Sequence, residues 1–112
     1  SPLYDSAEYM VAKADEYNFH YGLLFAISMQ ESRGCIAIPP GSHNCWGYGI
    51  YGDKVTTFDS YEEAIDVVSA GLYNNYIQKG LTTPEAIMKK YTPSSNGSWA
   101  YAVNFFFDKL EE

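Results

Sequence analysis

Between Tyr21 and Ser32 the chain carries Leu23, Leu24, Phe25, Ala26, Ile27 and Met29, with no charge before Glu31. Those six side chains cover nearly every face of a helix. A helix apolar all round is stable only when other elements enclose it. The pattern therefore predicts a central helix from about Tyr21 to Glu31 or Ser32, ended by Gly34, with the rest of the chain assembled around it. At 112 residues that is one domain, residues 1–112, with room for one modest core.

The flanking elements follow from capping signals and periodicity. Asp5 and Glu8 have capping-box spacing ahead of a helix from about Ser6 to Tyr17. Ser60 and Glu63 repeat the pattern. After them Tyr61, Ile65, Val68, Leu72 and Tyr76 recur at helical spacing up to Gly80. Thr83-Pro84 opens a short helix that stops near Tyr91. After a loop from Ser94 to Ser98, a last helix points Trp99, Ala102, Val103, Phe106 and Leu110 inward. Cys35 to Asn44 reads as a loop. From Trp46 to Phe58, Ile50, Val55, Thr56, Thr57 and Phe58 favour strand and Gly52-Asp53 can supply a turn. A short antiparallel hairpin is expected there, weakened by Gly47 and Gly49. The expected fold is thus α+β and mostly helical, with a small β-hairpin lobe.

Acidic residues outnumber basic ones 14 to 7, and no Lys/Arg cluster occurs, which argues against binding nucleic-acid backbones. No apolar run approaches the roughly 20 residues of a membrane span. Eleven Tyr and two Trp suit neutral ligands such as sugars, since these side chains pair an apolar face with a polar edge. A monomer without metal or cofactor is expected. Cys35 and Cys45 fit one disulfide and an exported, oxidising setting: extracellular, periplasmic or cell-wall associated. Two buried thiols, a metal site with His43 and His20, and a Cys/His nucleophile pair are the alternatives.

Glu31 has the sharpest chemistry. At about 100° per residue it projects between Leu24 and Ile27, on a face that should be buried. It also lies at the helix C-terminus, where the dipole disfavours an anion. Both effects raise a carboxyl pKa, and a carboxyl protonated near neutral pH can give its proton to a leaving oxygen.

Ala26-Ile27-Ser28-Met29-Gln30-Glu31-Ser32-Arg33 resembles the Glu-Ser signature of lysozyme-like lytic transglycosylases. Asn44-Cys45-Trp46-Gly47-Tyr48-Gly49-Ile50 is similar to the Asn-Leu-Phe-Gly-Ile stretch of bacterial endo-β-N-acetylglucosaminidases of the flagellar and autolysin type. Phe58-Asp59-Ser60-Tyr61 resembles the helix start that follows it there, and Thr83-Pro84-Glu85, Tyr91 and Tyr101 keep the same order. The resemblance spans roughly residues 20 to 108. It implies a lysozyme-like fold, a glycan cleft between two lobes, and cleavage of peptidoglycan glycan strands with Glu31 as acid and base. It further implies that Ser32 holds substrate or orients Glu31, that Tyr91 stands in the cleft near the acid, and that Trp46, Tyr48 and Tyr51 stack on sugars; Tyr101 reads as structural. Two departures stand out. The Gln of the transglycosylase Gly-Leu-Met/Phe-Gln segment is missing from Gly49-Ile50-Tyr51. A second acid has no clear holder among Asp53, Asp59 and Glu62. The expected activity is that of a lytic transglycosylase. A glycan hydrolase (N-acetylglucosaminidase or muramidase) and a non-catalytic glycan-binding module are the alternatives.

Overall fold

The structure is a computed structural model and describes residues 2–49, 56–92 and 97–111. The chain enters through a 3₁₀ turn at Tyr4–Ser6 and then forms α1 (Ala7–Tyr17), α2 (Leu23–Ser32) and α3 (Tyr61–Asn75). A second 3₁₀ turn at Ile77–Lys79 precedes α4 (Pro84–Tyr91) and α5 (Ser98–Glu111).

Helix α2 is the axis of the core, as its composition requires. Leu23, Leu24, Ala26 and Ile27 are each at most 4% exposed. Its main neighbour is α5; α1 packs on both α2 and α3, and α4 on α5. Ile65, Val68 and Leu72 of α3, Ile87 of α4 and Val103 of α5 are wholly buried in the same cluster. Full burial of a side chain of this size contributes about 1.5–3 kcal/mol. Trp99 and Val103 hold the inward positions expected of them, while Ala102 and Phe106 are half-buried. The Leu110 side chain and most of the expected Ser94–Ser98 loop lie outside the described residues.

The helix ends show which sequence signals act. Ser60 accepts from the Glu63 N–H at 3.0 Å, and Thr83 Oγ1 from the Ala86 N–H at 3.2 Å with Pro84 in the first turn, as expected. Asp5 does not cap α1. It sits inside the 3₁₀ turn, whose backbone bond from Ala7 N–H to Tyr4 carbonyl leads directly into the helix. Helix α2 ends at Ser32, but the left-handed residue that closes it is Arg33 at φ 53°, and the Gly34 N–H returns to the Ser28 carbonyl at 3.2 Å. Helix α3 stops at Asn75 instead of running to Gly80, because Tyr76 leaves helical geometry at φ −130° and the chain tightens into the 3₁₀ turn.

The α+β expectation is corrected. Among the described residues all regular structure is helical, with no strand and no sheet. Gly47 and Gly49 adopt φ of 62° and 68°, left-handed values incompatible with an extended strand. Side chains replace the ladder: the buried Asn44 amide donates to the carbonyls of Tyr48 (2.8 Å) and Thr56 (3.0 Å) and accepts from the Tyr48 N–H (3.1 Å). Thr56 Oγ1 donates to the Gly49 carbonyl at 2.9 Å. β-branched propensity at Thr56 is therefore overridden by local side-chain-to-backbone bonds. Ile50, Tyr51, the expected Gly52-Asp53 turn and Val55 lie outside the described residues.

Cys35 and Cys45 form a disulfide, which consumes both thiols and settles the alternatives raised for them. His20 Nδ1 accepts from the Gly22 N–H at 2.9 Å, and His43 Nδ1 lies 2.7 Å from the Phe58 carbonyl. Among the described residues no helix is long and apolar enough to cross a membrane.

Candidate active site

Glu31 occupies the last turn of α2, where the chain turns back through the disulfide loop. As a residue it is exposed, contrary to its expected place on a buried face. Its carboxyl is nonetheless crowded by protein. Oε1 accepts a 2.8 Å hydrogen bond from Trp99 Nε1 at the start of α5. Oε2 faces Gly47, where an added Cβ would lie only 3.2 Å away. A carboxyl can keep contact with solvent while most of its surroundings are protein, and the surroundings govern its charge. Burial raises the Glu31 pKa above the ordinary glutamate value, and the Trp99 hydrogen bond, which favours the charged form, only partly offsets this.

Three elements converge to hold this arrangement. Trp99 is 4% exposed, and its ring stacks on Tyr91 of α4 with centroids 5.4 Å apart at 29°. The Tyr91 hydroxyl donates to the Trp46 carbonyl at 2.5 Å, next to Gly47. Trp46 is fully buried and donates from its indole to the Leu24 carbonyl of α2 at 2.7 Å. Ser32 ties the loop to the helix end: its Oγ lies 2.7 Å from the Cys45 carbonyl and 3.0 Å from the Ser28 carbonyl, and accepts from the Cys35 N–H at 2.9 Å. The loop is thus fixed to α2 and α4, and Trp99 of α5 meets both at the carboxyl and the Tyr91 ring.

The residues named from sequence fall in different places. Tyr91 stands beside Trp99, one ring removed from Glu31. Ser32 and Trp46 are enclosed, with polar atoms engaged internally, so their placement serves the shape of the site. The Tyr48 ring tip lies against Gly71 of α3. Tyr101, read as structural, is 76% exposed on α5. Tyr51 and Asp53 lie outside the described residues. Asp59 is exposed just before α3, and Glu62 in its first turn accepts from Ser6 Oγ at 3.4 Å. Among the described residues no neighbouring charge contributes to the Glu31 shift.

Sequence reasoning missed Trp99 and Gly47 as members of the site. Trp99 was legible as an inward residue, but helical periodicity does not say what its N–H meets. A buried indole N–H needs an acceptor, and the carboxyl ending the central helix provides one. A largely apolar groove of about 430 Å³ lined by Leu3, Met10, Val11, Tyr21 and Phe25, among others, does not include Glu31.

No family model, curated protein or solved structure matches this chain.

Proposed function

We propose that the chain cleaves β-1,4-glycosidic bonds in peptidoglycan glycan strands, as a lytic transglycosylase with Glu31 as its single acid/base group. One observation carries this reading: a carboxyl ending the central helix, open to solvent yet held by Trp99 and Gly47 in surroundings that keep its proton to higher pH. The likeness of Ala26–Arg33 to the transglycosylase signature supplies the substrate class, and the disulfide suits an exported protein.

In the first step Glu31 gives its proton to the bridging oxygen. The bond from that oxygen to the anomeric carbon breaks, and its electron pair stays on the oxygen. The oxocarbenium-like centre left behind is captured by the muramoyl 6-hydroxyl, whose proton returns to Glu31. The products are a free 4-hydroxyl and a 1,6-anhydro end, and no water is consumed. Hydrolases usually need a second carboxyl about 5–9.5 Å from the first. Asp59 and Glu62, at the start of α3, are not among the causes of the Glu31 shift, and the anhydro route is the one that needs no second carboxyl.

Mass spectrometry of purified sacculi digested with the native chain tests this. Anhydro-muramoyl ends are expected; reducing ends would replace the transglycosylase with a hydrolase. Glu31→Gln should lower turnover by roughly a thousandfold with glycan binding kept. Undiminished cleavage would remove Glu31 from the chemistry. Binding without cleavage by the native chain would make this a glycan-binding module.

A further inference from the structure

The two oxygens of Glu31 stand in unequal surroundings. Oε1 is held by the Trp99 indole at 2.8 Å. Oε2 has no hydrogen bond among the described residues and faces the Gly47 backbone, close enough that any side chain there would press on it. The donor is itself fixed: Trp99 is buried, belongs to the core cluster and is stacked on Tyr91, whose hydroxyl is anchored to the Trp46 carbonyl.

We propose that Trp99 selects the working oxygen of Glu31: its N–H holds Oε1 as a standing acceptor, and the transferable proton resides on Oε2, the oxygen facing Gly47. The chemistry is that of a carboxylic acid. Its carbonyl oxygen is the good acceptor and its hydroxyl oxygen the donor, so an indole N–H, which can only donate, pairs with the carbonyl oxygen. The hydroxyl is thereby directed to the opposite side. When the proton leaves Oε2, the negative charge spreads to Oε1, where the same N–H now makes a stronger, charge-assisted bond. Because the donor is already in place, no reorganisation is needed as charge develops. Trp99 is a positioning residue: it acts on substrate only through Glu31. The proposal rests on the acid/base reading of Glu31 for its consequence in turnover, but the hydrogen-bond assignment stands apart from any substrate.

Two replacements test it. Trp99→Phe keeps a ring and removes the donor. Incorporating 3-benzothienylalanine at position 99 puts sulfur where the N–H stood and keeps the bicyclic shape, which covers the case in which phenylalanine fails to fold. In ligand-free protein, the carbonyl stretch of protonated Glu31, isolated by infrared difference against Glu31→Gln, should move to higher frequency in both. The Glu31 carboxyl, followed by ¹³C NMR, should titrate at higher pH. Sacculus cleavage should lose roughly ten- to a hundredfold in kcat with KM nearly unchanged, and the limb of the pH profile set by the acid should move upward. A carbonyl stretch and titration that do not move in the folded isostere overturn the proposal, even if the native chain cleaves sacculi. Spectroscopic shifts as expected in a native chain that cleaves nothing would instead leave the oxygen assignment standing and remove the enzymatic reading.

Discussion

Burial around the Glu31 carboxyl and the Trp99 N–H act in opposite directions, and burial prevails, so the folded protein holds this proton to higher pH than the unfolded chain does. Between the unfolded and folded pKa values the native state therefore binds more protons, and its stability falls as pH rises through that window. Glutamine at position 31 can still accept from Trp99 Nε1 and never ionises. Glu31→Gln should therefore be at least as stable as the native protein near neutral pH, with the difference closing below about pH 4, where an ordinary glutamate is protonated. Urea unfolding at a series of pH values measures this, and a variant uniformly less stable at neutral pH would contradict the sign. The position of Glu31 at the end of an apolar helix was plain in the sequence. The balance that sets its charge was not, because it depends on Trp99, 68 residues further along, and on a glycine backbone.

At the scale of elements, helices were legible wherever capping and periodicity agreed, as at Ser60 and Thr83. Strand propensity between Trp46 and Phe58 does not register the Asn44 side chain, whose amide bonds both Tyr48 and Thr56. The same segment inverts another sequence rule. Gly71 lies within α3, where alanine ordinarily gains about 0.5–1 kcal/mol. Here a Cβ would run into the Tyr48 hydroxyl and ring edge. Asn44 binds both the N–H and the carbonyl of Tyr48, so its main chain is held and only rotation of the ring can make room. Gly71→Ala should therefore destabilise by about 1–3 kcal/mol in chemical denaturation. Tyr48→Ala in the same chain should recover part of that loss, giving a coupling that independent sites would not show. A stabilised Gly71→Ala variant would mean that Tyr48 does not pack on α3.

For the molecule as a whole, the formal net charge of −7 bears on where the proposed activity can operate. Bacterial cell walls are themselves anionic, so a chain of this charge meets long-range repulsion before any glycan contact forms. The repulsion reaches as far as the screening length, about 30 Å at 0.01 M salt and about 8 Å at 0.15 M. The proposed site, as described, offers a carboxyl, an indole and a glycine backbone, none of which pairs with an anionic wall. Adsorption of Glu31→Gln, which binds without digesting the support, should therefore rise as salt is raised across that range, and sedimentation with purified sacculi reads it directly. Proteins that reach the wall through basic patches show the opposite trend, because salt dissolves their attraction. Retention that falls with salt would mean that Lys and Arg side chains, few and scattered in this sequence, converge on the glycan after all.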